Sequence, residues 1–247
     1  MALFKTSNPA LTSSTFDQRT LTAGEGMTAS GAVNKTGILV ILAVLTAAWS
    51  WNQFAQAPES VIPLLAIGGI GGFVAALVTI FKKEWSPITA PLYALLEGLV
   101  LGSISSMLEA RFPGLPMQAV GLTFGTLIAM LIAYRTGVIR ATERFKLGVV
   151  AATGGIAVFY LLQFVLGFFG VHFTSINGSG PIGIGFSLIV VVVAALNLVL
   201  DFDLIETGAR MGAPKYMEWY SAFALMVTLI WLYFEMLRLL TKLRGRD

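Results

Sequence analysis

The segment Asn197-Leu-Val-Leu-Asp201-Phe-Asp203-Leu-Ile-Glu206 puts three carboxylates and an amide at one end of an apolar run. Carboxylates in such a place bind a cation, carry a proton, or pair with a basic group from another segment. On a helix, Asn197 and Asp201 share one face, while Asp203, Glu206 and Arg210 share another. The second stripe reads as an ion pair at the membrane interface. Asp201 is read as lying about a turn and a half inside the membrane end of this helix, facing a bundle, with Asn197 one turn away as a candidate hydrogen-bond partner. It is the residue best placed for chemistry and the candidate for any metal contact. Glu97 stands midway along another run with no charge within a helical turn, so it needs a partner from another helix, a proton or water. Glu235 precedes Arg238 by three residues, the spacing of a local salt bridge.

Much chemistry is excluded. The chain has no cysteine and a single histidine, so thiol chemistry, disulfides, Cys-ligated metal and His-based metal sites fall away. His172 reads as a loop residue. No G-x-x-x-x-G-K-[ST] is present, which removes the usual ATP-binding loop. An intramembrane aspartyl protease needs aspartates on two helices, whereas Asp201 and Asp203 lie on one and point apart. The expectation is a protein that is not an enzyme and holds no resident cofactor. A formal net charge of +3 is too small to imply a nucleic-acid partner.

The elements that must position these groups are seven apolar runs: Gly37–Ala55, Val61–Phe81, Ile88–Leu108, Met117–Tyr134, Leu147–Phe169, Pro181–Leu200 and Tyr216–Leu240. About twenty apolar residues match the hydrocarbon core of a bilayer. Only 12% of the residues are charged, about half the proportion of an ordinary soluble domain. Only helices and closed barrels span lipid, and these runs are about twice the length of a barrel strand. The fold class is therefore all-α, a polytopic seven-helix bundle whose partner is the lipid bilayer. Residues 37–240 form one transmembrane domain. Residues 1–36 read as a flexible polar tail without a cleavable signal peptide, and residues 241–247 as a short basic tail. Gly68, Gly69, Gly71 and Gly72, and the pair Gly121 and Gly125, read as close-packing positions.

Basic loops alternate with non-basic ones. The amino-terminal segment carries Lys5, Arg19 and Lys35; later loops carry Lys82 and Lys83, then Arg135, Arg140, Arg144 and Lys146, then Arg210 and Lys215. By the positive-inside rule these face the cytoplasm, which puts the amino terminus there too. Arg238, Lys242, Arg244 and Arg246 break the alternation if all seven runs cross.

The chain resembles the Bax-inhibitor/YccA-like family of seven-helix membrane proteins. The likeness rests on Glu97-Gly98-Leu-Val-Leu-Gly102-Ser-Ile in the third run and Leu198-Val-Leu-Asp201-Phe-Asp203 in the sixth. It rests also on the seventh run ending at Arg238, and on Ser7-Asn8-Pro9-Ala10-Leu11 near the start. It implies a bundle with the seventh helix central and a bacterial inner-membrane location. It also implies a calcium leak closed by a proton-sensitive pair of aspartates on the sixth and seventh helices. Asp201 matches the first of these, whereas Thr228 stands where the second is expected. Lys82 matches a basic residue at the end of the second helix, and glycine near Gly69 replaces a glutamate. Glu97 and Glu235 are the carboxylates left to supply charge from elsewhere.

Function is thus expected to be a passive leak for cations, Ca2+ above all, gated by pH through Asp201, with Asp203, Thr228, Glu97 and Lys82 along the path. The alternative is a non-transporting regulator or partner of a membrane protease or other membrane protein, gripped by its amino-terminal tail. A proton-coupled transporter is disfavoured because no internal repeat is visible.

Overall fold

The computed structural model describes residues 26–170 and 173–245. Its elements are α1 (Ala29–Gln56), α2 (Val61–Phe81), α3 (Ser86–Arg111), α4 (Leu115–Arg135), α5 (Glu143–Phe168), the short α6 (Thr174–Asn177), α7 (Pro181–Arg210) and α8 (Met217–Arg244). Seven of these are long and apolar enough to cross a membrane. All seven runs read from the sequence are helices, and among the described residues there is no strand beyond one bridge between Gly26 and Pro214.

Local chemistry sets the helix ends. Thr28 caps α1, its hydroxyl accepting from Gly31 N at 2.9 Å, and Thr142 caps α5 in the same way at 3.3 Å. Proline opens α3, α4 and α7, where its missing N–H costs nothing. Gly114, at φ 77°, makes the tight α3–α4 turn that an L side chain would strain.

Helix ends depart from the sequence reading at both termini. α1 begins at Ala29, not Gly37, so the segment read as tail is ordered from Gly26 onward. Met27 N donates to Ala213 O at 2.6 Å, and Met27 is buried. Residues 1–25, including Lys5, Ser7–Leu11 and Arg19, lie outside the described residues, as do His172 and Arg246. At the other end α8 continues to Arg244 through most of the segment read as a basic tail.

α8 is central, packed against α1, α3, α4 and α7, and most of its span is buried. α5 is peripheral and packs on α7. Lipid tails are as apolar as the core, so close van der Waals contact holds such helices together more than burial does. That contact is made by glycine. A Cβ on Gly98 would overlap Ala43 and Thr46 of α1, and one on Gly102 would overlap Ala47 and Ser50. Gly68 meets Leu96 O of α3 in the same manner, at 2.7 Å for an added Cβ. A Cβ added at Gly69, Gly121 or Gly125 would meet nothing within 4 Å, so the sequence reading of these three as close-packing positions is corrected.

All seven long helices traverse the bundle. The starts of α1, α3, α5 and α8 meet the ends of α4 and α7 on one face, through Met27–Ala213, Ser86–Tyr216, Lys146–Asp203 and Tyr134–Glu206. This face carries Lys82, Lys83, Arg135, Arg140 and Arg144. Arg238, Lys242 and Arg244 lie toward the other face, each with a partner within the chain. Arg238 pairs with Glu235 at 3.1 Å, and Arg244 donates to Pro113 O at 2.8 Å. Lys242 is buried and donates to Ile176 O, Gly183 O and Ser187 Oγ at 2.7, 2.9 and 2.9 Å.

Candidate functional site

A cavity of about 590 Å3 lies between α2–α3 and α7–α8, in the half of the bundle nearest the basic face. α2 gives it Gly69, Phe73, Ala76 and Ile80; α3 gives Tyr93 and Glu97; α7 gives Asp201; α8 gives Tyr220, Phe223, Ala224, Val227 and Thr228. α2 packs on α3 with no comparable contact to α7, and that missing packing leaves the space.

Each polar group is placed by an identifiable local feature. Gly72 of α2 lies opposite Glu97, where a Cβ would stand 3.0 Å from Oε1, so its missing side chain makes room for the carboxylate. Tyr93 is fixed edge-on to Phe223, with ring centroids 5.0 Å apart at 79°. Asp201 Oδ2 is buried with no hydrogen-bond partner among the described residues. Thr228 Oγ1 donates to Ala224 O at 3.3 Å, one turn back on its own helix. At the basic end, Lys83 Nζ lies 5.2 Å from the ring centroid of Tyr220, itself a wall residue. Glu97 forms no ion pair among the described residues.

Of the residues expected along a path, the fold brings Asp201, Glu97 and Thr228 into this one cavity and leaves two out. Asp203 points away and pairs with Lys146 of α5 at 2.8 Å. Lys82 is exposed at the end of α2 and does not line the cavity; its neighbour Lys83 stands at Tyr220 instead. The Asp203–Glu206–Arg210 stripe is not an internal ion pair either. Glu206 accepts from Tyr134 Oη at 2.5 Å, and Arg210 reaches Thr207 Oγ1 at 3.5 Å. Asn197 serves α5, not Asp201, donating to Thr153 Oγ1 at 2.7 Å and Val193 O at 2.9 Å. Glu235 forms the local bridge to Arg238 and also accepts from Tyr160 at 3.0 Å; Arg238 bonds Tyr160 too. Glu235 is therefore engaged away from the cavity.

One carboxylate escaped the sequence reading. Glu218, in the first turn of α8, is fully buried. It accepts from Thr28 N and Thr28 Oγ1, both at 2.9 Å, and pairs with Lys215 at 2.8 Å and Lys35 at 2.6 Å. Gly31 leaves it space, since a Cβ there would overlap the carboxylate. It joins the start of α1 to the start of α8, the helix that supplies five of the twelve residues lining the cavity.

Among the described residues no cluster of three or more His, Cys, Asp or Glu is positioned to hold a metal. Calcium takes about six to eight oxygen ligands. The two carboxylates and one hydroxyl lining the cavity fall short of that number.

The fold and cavity define a polytopic seven-helix membrane protein with acidic side chains at membrane depth. A family model described as Bax inhibitor 1 like matches residues 8–245, and the chain belongs to that family. Comparison with curated proteins finds no match, and neither does comparison with solved structures.

Proposed function

We propose that the chain is a passive cation leak, with calcium the ion its site suits, and that the cavity between α2, α3, α7 and α8 is part of the path. The observation that carries this reading is the meeting of Asp201 and Glu97, from two different helices, in one cavity that leaves Asp201 Oδ2 unpartnered. Ionisable groups at such depth are costly and are retained where a cation or proton must pass. Oxygen ligands on hard carboxylates favour calcium among common cations. The work is conduction, not catalysis. The basic face is the cytoplasmic one, with the amino terminus there, in a bacterial inner membrane.

Protonation acts here by removing charge. With Thr228 in place of a second aspartate, no carboxylate pair on α7 and α8 exists to lock shut. Acidification neutralises the acids that attract the cation, so flux falls as pH falls. The alternative role, regulation of a membrane protease, depends on the amino-terminal segment and draws no support from the cavity.

The absence of cysteine makes a clean test available. Gly69 lines the cavity and has open space around it, so Gly69→Cys introduces a single thiol with little strain. A charged, membrane-impermeant thiol reagent should modify it in vesicles, and millimolar calcium should slow the reaction. Calcium should not slow it when Asp201→Asn and Glu97→Gln are also present. An unreactive thiol, or a reaction indifferent to calcium, would overturn the reading.

A further inference from the structure

We propose that a second cavity, which shares no lining residue with the first, is a site for one acyl chain of an anionic membrane phospholipid. The cavity has a volume of about 600 Å3, within the range of about 300–1,000 Å3 that ligand pockets occupy. α3 and α8 form its floor; α1 and α4 form its sides. The sides do not pack on each other, so the gap between them opens laterally, where a membrane-spanning bundle meets lipid.

The lining is almost wholly apolar. Val44 and Ala48 on α1 face the gap from one side, and Val120 and Phe124 on α4 from the other. On the floor, Ser105 and Tyr233 satisfy one another, with 2.7 Å between Ser105 Oγ and Tyr233 Oη. No polar group there needs water, so the space suits a hydrocarbon. Lipid acyl chains are the hydrocarbon in contact with such an opening.

Charge at one end specifies the headgroup. The cavity ends beside the α3–α4 turn at Glu109 and Gly114. Arg244 reaches this turn and donates to Pro113 O at 2.8 Å. Arg111 lies on the same turn, its guanidinium 5.4 Å from the Phe112 ring centroid. Neither arginine forms an ion pair among the described residues. The nearby Glu109 carboxylate is turned back onto Gly114 N, at 2.9 and 3.0 Å. Two guanidinium groups without carboxylate partners, on the turn whose Gly114 ends the apolar slot, match a phosphate above an acyl chain.

Native mass spectrometry tests this on the full chain released from detergent, with dioleoyl phosphatidylglycerol and dioleoyl phosphatidylcholine added in equal amounts. One lipid should stay bound per chain, and it should be mainly phosphatidylglycerol. Arg111→Gln with Arg244→Gln should lower that preference by about fivefold for each arginine removed, while leaving a lipid bound. Ala48→Trp or Val120→Trp should abolish retention of both lipids without altering elution from a sizing column. The arginine pair lies at the surface, so its result does not depend on whether the tryptophan variants fold. No retained lipid, equal retention of both by the unmodified chain, or an arginine variant with unchanged preference would overturn the proposal.

Discussion

Replacing Glu218 by glutamine keeps the shape of a fully buried side chain and removes its charge. Three donors converge on its Oε1, namely Thr28 N, Thr28 Oγ1 and Lys215 Nζ, while Lys35 Nζ forms an ion pair with Oε2. A glutamine offers one acceptor oxygen and an NH2 group that must face at least one of those donors. Breaking a buried ion pair by removing one partner costs about 3–5 kcal/mol. Here Lys215 is half exposed and Lys35 one-fifth exposed, so each ammonium turns toward water and recovers part of that loss. The remaining cost, chiefly the lost Lys35 ion pair and the amide NH2 now facing that ammonium, is about 2–3 kcal/mol. For a chain of this length that lowers the unfolding midpoint by roughly 5–10 °C. Helix content survives unfolding in micelles, so the readout should be tertiary. Tryptophan fluorescence serves, because Lys35 lies over the Trp219 ring at 5.6 Å. The exposed Glu59→Gln is the control and should shift nothing. Lys35→Met combined with Glu218→Gln should cost less than the two changes summed, because both remove one contact. A Glu218→Gln protein as stable as the parent would refute the idea that this carboxylate ties α1 to α8.

The packing account predicts opposite outcomes for two glycine pairs of identical spacing. Gly102→Ala should lower stability by about 1–3 kcal/mol by forcing α1 from α3, whereas Gly121→Ala should stay within about 0.5 kcal/mol; detergent-denaturation midpoints separate them. Lys242→Met strands two carbonyls and the Ser187 hydroxyl and should cost about 3 kcal/mol in the same assay. Thr228→Asp adds a third carboxylate to the cavity that Asp201 and Glu97 line and should spread the pH dependence of calcium flux over a wider range, since interacting acids lose their protons in two separated steps; an unchanged profile in vesicle flux would contradict the placement.

The spans were legible because twenty apolar residues have one structural use in a bilayer, and Asp201 and Glu97 were legible because each interrupts such a run. The cavity that unites them was not, since it depends on α2 lacking contact with α7. Asp203 and Glu206 found partners on α5 and α4, at Lys146 and Tyr134, where helical periodicity on α7 alone pointed to Arg210. Glu218 drew no reading although it lies inside the run Tyr216–Leu240, because its partners Thr28 and Lys35 come from the far end of the chain. A signal for the early start of α1 did exist: Thr28 is a good capping residue. It was outweighed by the polar character of the residues that follow. Lys242 read as a tail charge because a buried ammonium held by carbonyls has no local signature. Gly98 and Gly102 cannot be told from Gly121 and Gly125 by spacing; only the neighbouring helix decides which pair packs.

Calcium efflux from liposomes carrying the purified chain tests the central claim most directly, with the parent compared against Asp201→Asn combined with Glu97→Gln. A divalent ion about 4 Å from a carboxylate gains at least ~2 kcal/mol even when water screens fully. Loss of both carboxylates should therefore slow calcium efflux by at least about thirtyfold and potassium efflux by markedly less. Equal calcium efflux from the parent, the double variant and protein-free liposomes would contradict the account.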